Sequence, residues 1–485
     1  MIRFKYRPGD FLVREVYDRA RIGDSGPFAI YELTKVKRST LEAATRLAEV
    51  AHVSPSEVAF AGLKDRQGRT TQLVSVRTTR RLELREPGFE LRWLGRSESP
   101  VDASWNAANR FEIVVRGLKE PDLERFHRNL AEVEVQGLPN YFDDQRFGCL
   151  RHGQGLIVRA LLDGRAEEAL QRVIASPSRF DGEQEGLAKA LLRRRWGEWG
   201  ACKPLARRLG RYLGVFEHLE RAPQDFLGAF RHVAHRERLI HLYAYQSFLW
   251  NRTVAAWLRA RHGEDTLFID TDMGALPVWG ELSNEERALF ERTTLPLLDS
   301  RYRPSDPAIR AALLEVLRTE RVRPSELEGP DLAGFQFKYQ ERALLLRPAK
   351  LRIARPRRDE SEDGALKVGL EFELPRGAYA TLVLKRLFLA NKRGKLSARP
   401  DEERKVPQAK WSSGAANREL RGWEARDRGP MRRDGGGPMR REGGGPMRRD
   451  GGGPQRRDGG GPPRRDGDRF PGRDRGPERP RGGRT

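Results

Sequence analysis

Aliphatic side chains all but stop after Phe388-Leu389, and that change of character sets how much of this chain can bury a core. From Pro430 a unit of the form Gly-Pro-Met-Arg-Arg-Asp-Gly-Gly repeats, with Pro430, Pro438, Pro446, Pro454 and Pro462 marking a period of eight. Such a segment has no apolar surface to set against an ordering entropy of roughly 1–2 kcal/mol per residue. Residues 393–485 are therefore expected to be a disordered Arg/Gly/Pro-rich tail and not a solenoid. Folded structure is expected within residues 1–392.

Charge points to the partner. The 485 residues carry 92 Lys and Arg against 69 Asp and Glu, a formal charge of +23. Residues 392–485 hold 27 of those cations against 14 acids, so both the tail and the remainder are basic. A surface of this sign favours a polyanion, because each neutralised phosphate releases condensed counterions. Nucleic acid is the leading partner; an arginine-rich surface inherited from a high-GC coding sequence is the bland alternative. In the tail, Asp434, Glu442, Asp450 and Asp458 follow the Arg-Arg pairs and partly cancel them. It therefore reads either as a non-specific RNA contact or as a solubilising extension. Two cysteines, Cys149 and Cys202, exclude a disulfide scaffold and a four-cysteine zinc module and fit a reducing cytoplasm. No apolar run approaches the roughly 18–20 residues of a membrane span, and Met1 to Tyr6 has no signal-peptide core. A soluble cytoplasmic protein is expected.

Within the foldable part, strand and helix signals alternate up to about residue 155. Ser39-Thr40-Leu41-Glu42 and Ser54-Pro55-Ser56-Glu57 both read as helix starts, a capping residue followed three positions later by Glu. Thr71–Arg77 and Phe111–Arg116 read as strands, and Pro121 to about Glu134 as a helix. Between the second helix start and the first of those strands, Lys64 and Asp65 fall in a loop. Residues 156–335 are mostly helical by period, including one long amphipathic run from Phe226 to Arg261. Strand character returns at Ala343–Arg347 and Val368–Leu374, and Pro375-Arg376-Gly377 turns the chain into a last helix ending near Leu389. The simplest architecture is α+β: a core of residues 1–155 and 336–392 whose two segments meet, with a helical domain of 156–335 inserted between them.

The chain has no phosphate-binding G-x-x-x-x-G-K-[ST] loop, no G-x-S-x-G elbow and no H-E-x-x-H zinc helix. His232, His235 and His241 lie on a basic helical stretch without a nearby carboxylate pair, which disfavours a metal site. Asp65 is flanked by Lys64 and Arg66 in a glycine-bounded loop, where neighbouring cations keep a carboxylate ionised. An ionised, oriented carboxylate can serve as nucleophile or general base, but Lys-Asp-Arg is also an ordinary surface charge cluster. Tyr141, Phe142 and Phe147 sit among Asn140, Gln145 and Arg146 in a stretch with no helical or strand period. Aromatic faces there could stack a base, or anchor the loop to the core.

Four separated motifs resemble the TruD family of tRNA pseudouridine synthases. They are Gly62-Leu63-Lys64-Asp65-Arg66 with Thr70 and Gln72; Asn140-Tyr141-Phe142 with Gln145-Arg146-Phe147-Gly148; Tyr245-Gln246-Ser247 with Leu249 and Asn251; and Leu374-Pro375 with Gly377 and Tyr379-Ala380-Thr381. Pro8, Asp10-Phe11, Val13 and Glu15 fit the family's N-terminal pattern. The resemblance covers about residues 8–389 and leaves out the tail. Gly68 stands where the family commonly has Ala, Asp143 where it has Gly and Ala378 where Ser is frequent. Asp143 beside Asp144 puts extra negative charge on a loop expected to face RNA.

The resemblance implies a pseudouridine synthase-like mixed β-sheet flanked by helices, with tRNA as partner and no cofactor or metal. It implies isomerisation of a uridine, at position 13 of tRNA, by breaking N1–C1′, turning the base and rejoining it through C5. By analogy Asp65 is the essential carboxylate, attacking C1′ or removing the 2′ proton. Phe142 is the expected stacking face and Asn140 an orienting hydrogen bonder. Lys64 is expected to hold Asp65 ionised or contact a flanking phosphate, and Glu15 to neighbour the active site. A non-catalytic RNA-binding or RNA-chaperone protein using the basic tail is the alternative; a carboxylate hydrolase lacks a second acid at a convincing spacing.

Overall fold

The structure, a computed structural model, describes residues 2–389 apart from 65, 67, 151–152, 179–180, 264–265, 300–303, 329–335 and 338. Asp65 and the eight-residue repeats lie outside the described residues. Along the chain come β1 (Phe11–Val16), β2 (Phe28–Val36), α1 (Thr40–Ala51), β3 (Val58–Phe60), β4 (Arg69–Arg77), β5 (Arg85–Glu86), β6 (Phe89–Ser97), β7 (Ala108–Leu118), α2 (Glu120–Gln136) and β8 (Leu138–Pro139). Helices then dominate: α3 (Ile157–Leu162), α4 (Ala166–Ile174), α5 (Glu183–Arg194), α6 (Trp199–Leu209), α7 (Leu213–Arg221), α8 (Phe226–Phe230) and the 28-residue α9 (His235–His262). A hairpin of β9 (Leu267–Thr271) and β10 (Gly274–Val278) precedes α10 (Asn284–Arg292), β11 (Thr294–Pro296) and α11 (Pro307–Thr319). The chain closes with β12 (Glu341–Ala343), β13 (Leu345–Leu346), β14 (Ala349–Ile353), β15 (Arg357–Arg358), β16 (Leu366–Pro375) and α12 (Ala380–Leu387).

One mixed sheet carries the fold, in the order β14-β16-β7-β1-β4-β2-β6-β5, with β3 on β4 and β15 on β16. Its β1–β4 pair is parallel, Val13 opposite Thr70; β7 and β16 run antiparallel to their neighbours. The late strand β16 lies along β7, with Phe372 opposite Phe111 and the two rings stacked at 5.7 Å. Residues more than 250 positions apart thus share one apolar face, which also receives α2 and α12 through Phe126 and Phe388, 5.1 Å apart. No helix among the described residues is long and apolar enough to cross a membrane.

Local signals work where no strand competes for the same residues. Ser39 and Glu42 form the reciprocal capping box that starts α1: Ser39 Oγ accepts from Glu42 N at 3.1 Å, and Glu42 Oε2 from Ser39 N at 2.6 Å. The same box at Ser54 and Glu57 starts only one 3₁₀ turn, Pro55–Glu57. Val58, Ala59 and Phe60 are drawn at once into pairing with β4, so the second expected helix is a turn followed by an edge strand. The long run expected from Phe226 breaks after Phe230 and resumes as α9 at His235.

A buried guanidinium locks the first and last parts of the sheet together. Arg116 on β7 donates to both oxygens of Asp10, at 2.9 Å each, and to Asp359 Oδ1 at 2.9 Å. Against the opposing pull of burial, hydrogen bonds from Ser361, Gly117 and Arg116 hold the Asp359 carboxyl well below the usual range. Removing one partner of a buried ion network leaves uncompensated charge, typically at a cost of about 3–5 kcal/mol. Arg116→Met is expected to lose stability of that order in urea unfolding, with partial recovery when Asp10→Asn and Asp359→Asn are added.

Candidate active site

The β3–β4 loop is fixed from several sides before any substrate arrives. Lys64 N donates to Thr40 Oγ1 at 2.9 Å, Gln72 Nε2 donates to Gly62 O at 3.2 Å, and the fully buried Lys35 reaches Lys64 O with its ammonium at 3.3 Å. Gly68 lies so near β1 that a Cβ there would stand 2.5 Å from the Phe11 carbonyl oxygen, which accounts for a residue without one at this approach.

The Lys64 side chain turns into the sheet. On β1 the inward positions are Phe11, Val13 and Glu15, and register sets Glu15 opposite Asn109 of β7. Lys64 Nζ lies 2.7 Å from Glu15 Oε1 and 2.8 Å from Asn109 Oδ1, while Glu15 Oε2 accepts from Leu73 N at 2.8 Å. The Lys64 ammonium is engaged in this buried pair with Glu15 and Asn109, a contact that neither of the two roles expected for it describes. Two sequence-selected residues, Glu15 and Lys64, are therefore directly bonded at the base of the loop that contains Asp65.

Above them opens a cleft of about 790 Å³. Gly62, Leu63, Lys64 and Arg66 line it from the loop; Phe11, Val13, Asn109 and Phe111 line it from the sheet; Glu237, Ile240 and His241 line it from the start of α9. Of the aromatic loop, Gln145, Arg146 and Gly148 reach the cleft, and Tyr379 joins from the turn before α12. His241 is the one member of the histidine cluster that lines it; the His232 ring instead lies 5.2 Å from that of His218.

Asn140 and Phe142 belong to a second knot just behind. Asn140 Nδ2 donates to Ala343 O at 3.0 Å, and its Oδ1 accepts from Arg342 at 2.8 Å. Arg342 also donates to the carbonyls of Asn140, Tyr141 and Gly377, at 2.6, 3.1 and 3.0 Å. Its guanidinium carbon sits 3.9 Å from the Phe142 ring centroid, and burial pulls its pKa down to about 10. Phe142 is 4% exposed, packed edge-on against Trp250 and Tyr379 and with Arg146 5.1 Å away. The ring expected to stack a base is covered by protein, and of the groups packed on it Arg146 and Tyr379 line the cleft.

The third motif acts on the second. Ser247 and Asn251 stand four residues apart on one face of α9. Ser247 Oγ accepts from Arg146 Nε at 2.9 Å, while Asn251 bonds both the N–H and the C=O of Phe142, at 2.9 and 2.8 Å. Arg342 is the residue that sequence reasoning missed: Glu341-Arg342-Ala343 carries no chemical pattern, and every partner lies more than 30 positions away.

One expectation is overturned. Asp143 does not present its charge at the surface: it is 1% exposed and accepts from Thr381 and, at 2.6 Å, from Lys385 Nζ. Asp144 shares that ammonium at 2.6 Å and takes Asp272 N on its other oxygen. The extra carboxylate is compensated by α12, which closes over the loop. Burial, then the charge of Asp143, raises the Asp144 pKa.

Comparison with known proteins follows the same span. The family model of tRNA pseudouridine synthase D (TruD) matches residues 2–387. This chain belongs to the TruD family. It is 28% identical over 392 residues to the probable tRNA pseudouridine synthase D 1 of Methanococcus maripaludis, covering 80% of this chain and 99% of that protein. It is 30% identical over 397 residues to the tRNA pseudouridine synthase D of Aquifex aeolicus, again covering 80% and 99%. The crystal structure of the putative tRNA pseudouridine synthase D (TruD) from Methanosarcina mazei matches with a TM-score of 0.57 at 26% identity, over 79% of this chain and 93% of that one. As a TruD member the chain has the expected α+β fold, with a central mixed sheet and helices.

Lys385→Met tests the inward role of the Asp143–Asp144 pair. A buried carboxylate, Asp143, and its half-buried neighbour Asp144, left without their cation, should cost about 3 kcal/mol at pH 7. Because the folded-state pKa of Asp144 is raised, protonation favours the folded form, so the deficit should shrink as pH falls from 7 toward the carboxylate range. Urea unfolding of both proteins across that range is the check.

Proposed function

We propose that this chain isomerises a uridine of tRNA, at position 13, to pseudouridine, with Asp65 as the essential carboxylate and no cofactor. The observation that carries the reading is the buried Lys64–Glu15 pair, which anchors the residue next to Asp65 at the wall of a cleft of nucleotide size. The names of the relatives, which run nearly the full length of those proteins, give the substrate class.

The N1–C1′ bond breaks, the freed base turns within the cleft, C5 bonds to C1′, and the C5 proton leaves while N1 gains one. Asp65 takes C1′ as nucleophile or removes the 2′ proton. Its loop must not yield during the turn, and Glu15, Asn109 and Thr40 supply that rigidity through Lys64. Asn140 orients the second motif through Arg342. Phe142 backs the base through Tyr379 and Arg146; direct stacking on its ring requires those groups to move aside. The division of labour is a catalytic core of residues 1–155 and 336–392, tRNA-body contacts from 156–335, and salt-sensitive, non-specific contacts from the tail.

Asp65→Asn, nearly equal in size but unable to attack or abstract, should abolish tritium release from C5-labelled tRNA while leaving filter-binding affinity within about threefold, since phosphate contacts dominate affinity. Turnover near that of the unsubstituted protein would assign the chemistry to another residue, whereas no turnover by the unsubstituted protein would leave the non-catalytic RNA binder. Truncation after Arg399 should preserve turnover at saturating tRNA and flatten the dependence of Kd on salt.

A further inference from the structure

Among the described residues seven large apolar side chains are exposed, and two of them, Leu63 at 53% and Ile240 at 41%, line the same cleft from different elements. Neither position is explained by stability. Leu63 packs too little surface to hold its loop, which is fixed instead by the hydrogen bonds on its two neighbours, Gly62 O from Gln72 and Lys64 N to Thr40. Ile240 stands one turn into α9, beside residues that do bury, His241 and Leu242. A rigidly presented leucine beside cations such as Arg66, whose side chain is 68% exposed, is a poor surface for water and a good one for a flat, uncharged ring on an anionic backbone.

We infer that Leu63 and Ile240 are positioning residues that cover the base faces laid bare when the target uridine leaves its stack, with Leu63 filling the vacated place. The occupant is RNA: aliphatic side chains pushed between base steps are a general device for holding nucleic acid unstacked, and the arginines around the cleft suit its phosphates. The deeper apolar groups, Phe11, Val13 and Phe111, are 2–7% exposed and form the floor, leaving the two exposed side chains at the mouth, where flanking nucleotides pass. The inference rests on the uridine isomerase reading and adds the residues that meet the cost of extrusion.

The test compares the full-length protein with Leu63→Ala and Ile240→Ser on two RNAs, a folded tRNA transcript and a short unstructured RNA with the same uridine. The expected result is a loss in kcat/KM on the folded tRNA roughly tenfold greater than on the unstructured RNA, with Tm unchanged. Equal losses on both RNAs, or no loss on tRNA, overturn the inference alone. No pseudouridine from the unsubstituted protein on either RNA overturns the isomerase reading and this inference with it. Where only tRNA is turned over, 2-aminopurine beside the target uridine decides: in an Asp65→Asn background its fluorescence should rise on binding, and the added Leu63→Ala should remove most of that rise. An undiminished rise overturns the inference.

Discussion

The buried ammonium of Lys64, held between Glu15 and Asn109, is the constraint around which the rest of the site is arranged. A charged amine in an apolar sheet is tolerable only if its partners are placed before it arrives, and the β1–β7 register does that by setting Glu15 opposite Asn109. The parallel β1–β4 pairing then brings the residue after the loop, Arg69, beside Leu12, so the loop is tied to β1 both through Lys64 and through Arg69. The consequence is that Lys64, next to Asp65 in sequence, is held at the wall of the cleft.

A second cation organises the other half. Arg342 has no carboxylate among its described partners; it is satisfied by three carbonyls, one amide oxygen and the face of Phe142. Carbonyl partners compensate a buried guanidinium without adding net charge, which matters where the ligand is a polyanion. Asp143 and Asp144 share the ammonium of Lys385, and neither lines the cleft.

Much of the candidate site was legible in the sequence, but as parts without their connections. The Lys64–Asp65 loop and the aromatic loop were singled out from their residues and Glu15 through the family resemblance, and Glu15 and Lys64 proved to touch. For the aromatic loop the residues left stacking and anchoring both open, and only the family resemblance singled out Phe142 as the stacking face; the cover on its ring comes from Arg342, Trp250 and Tyr379, 108 to 237 positions later. Arg342 left no local trace, since its significance lies wholly in what it reaches. The helix expected after Ser54 failed for a related reason: a capping box states where a helix can start, while sheet pairing with β4 decided that it stops after one turn.

The sequence by itself determined where aliphatic side chains stop, where α1 is capped and which loop carries a flanked carboxylate. These depend on interactions spanning a few residues, and composition is enough to weigh them. Only the tertiary structure decided which charges face inward, which ring is covered and which strand closes the sheet. Burying a charge or an aromatic face is favourable or costly according to partners that arrive from distant segments, and no local pattern records whether they do.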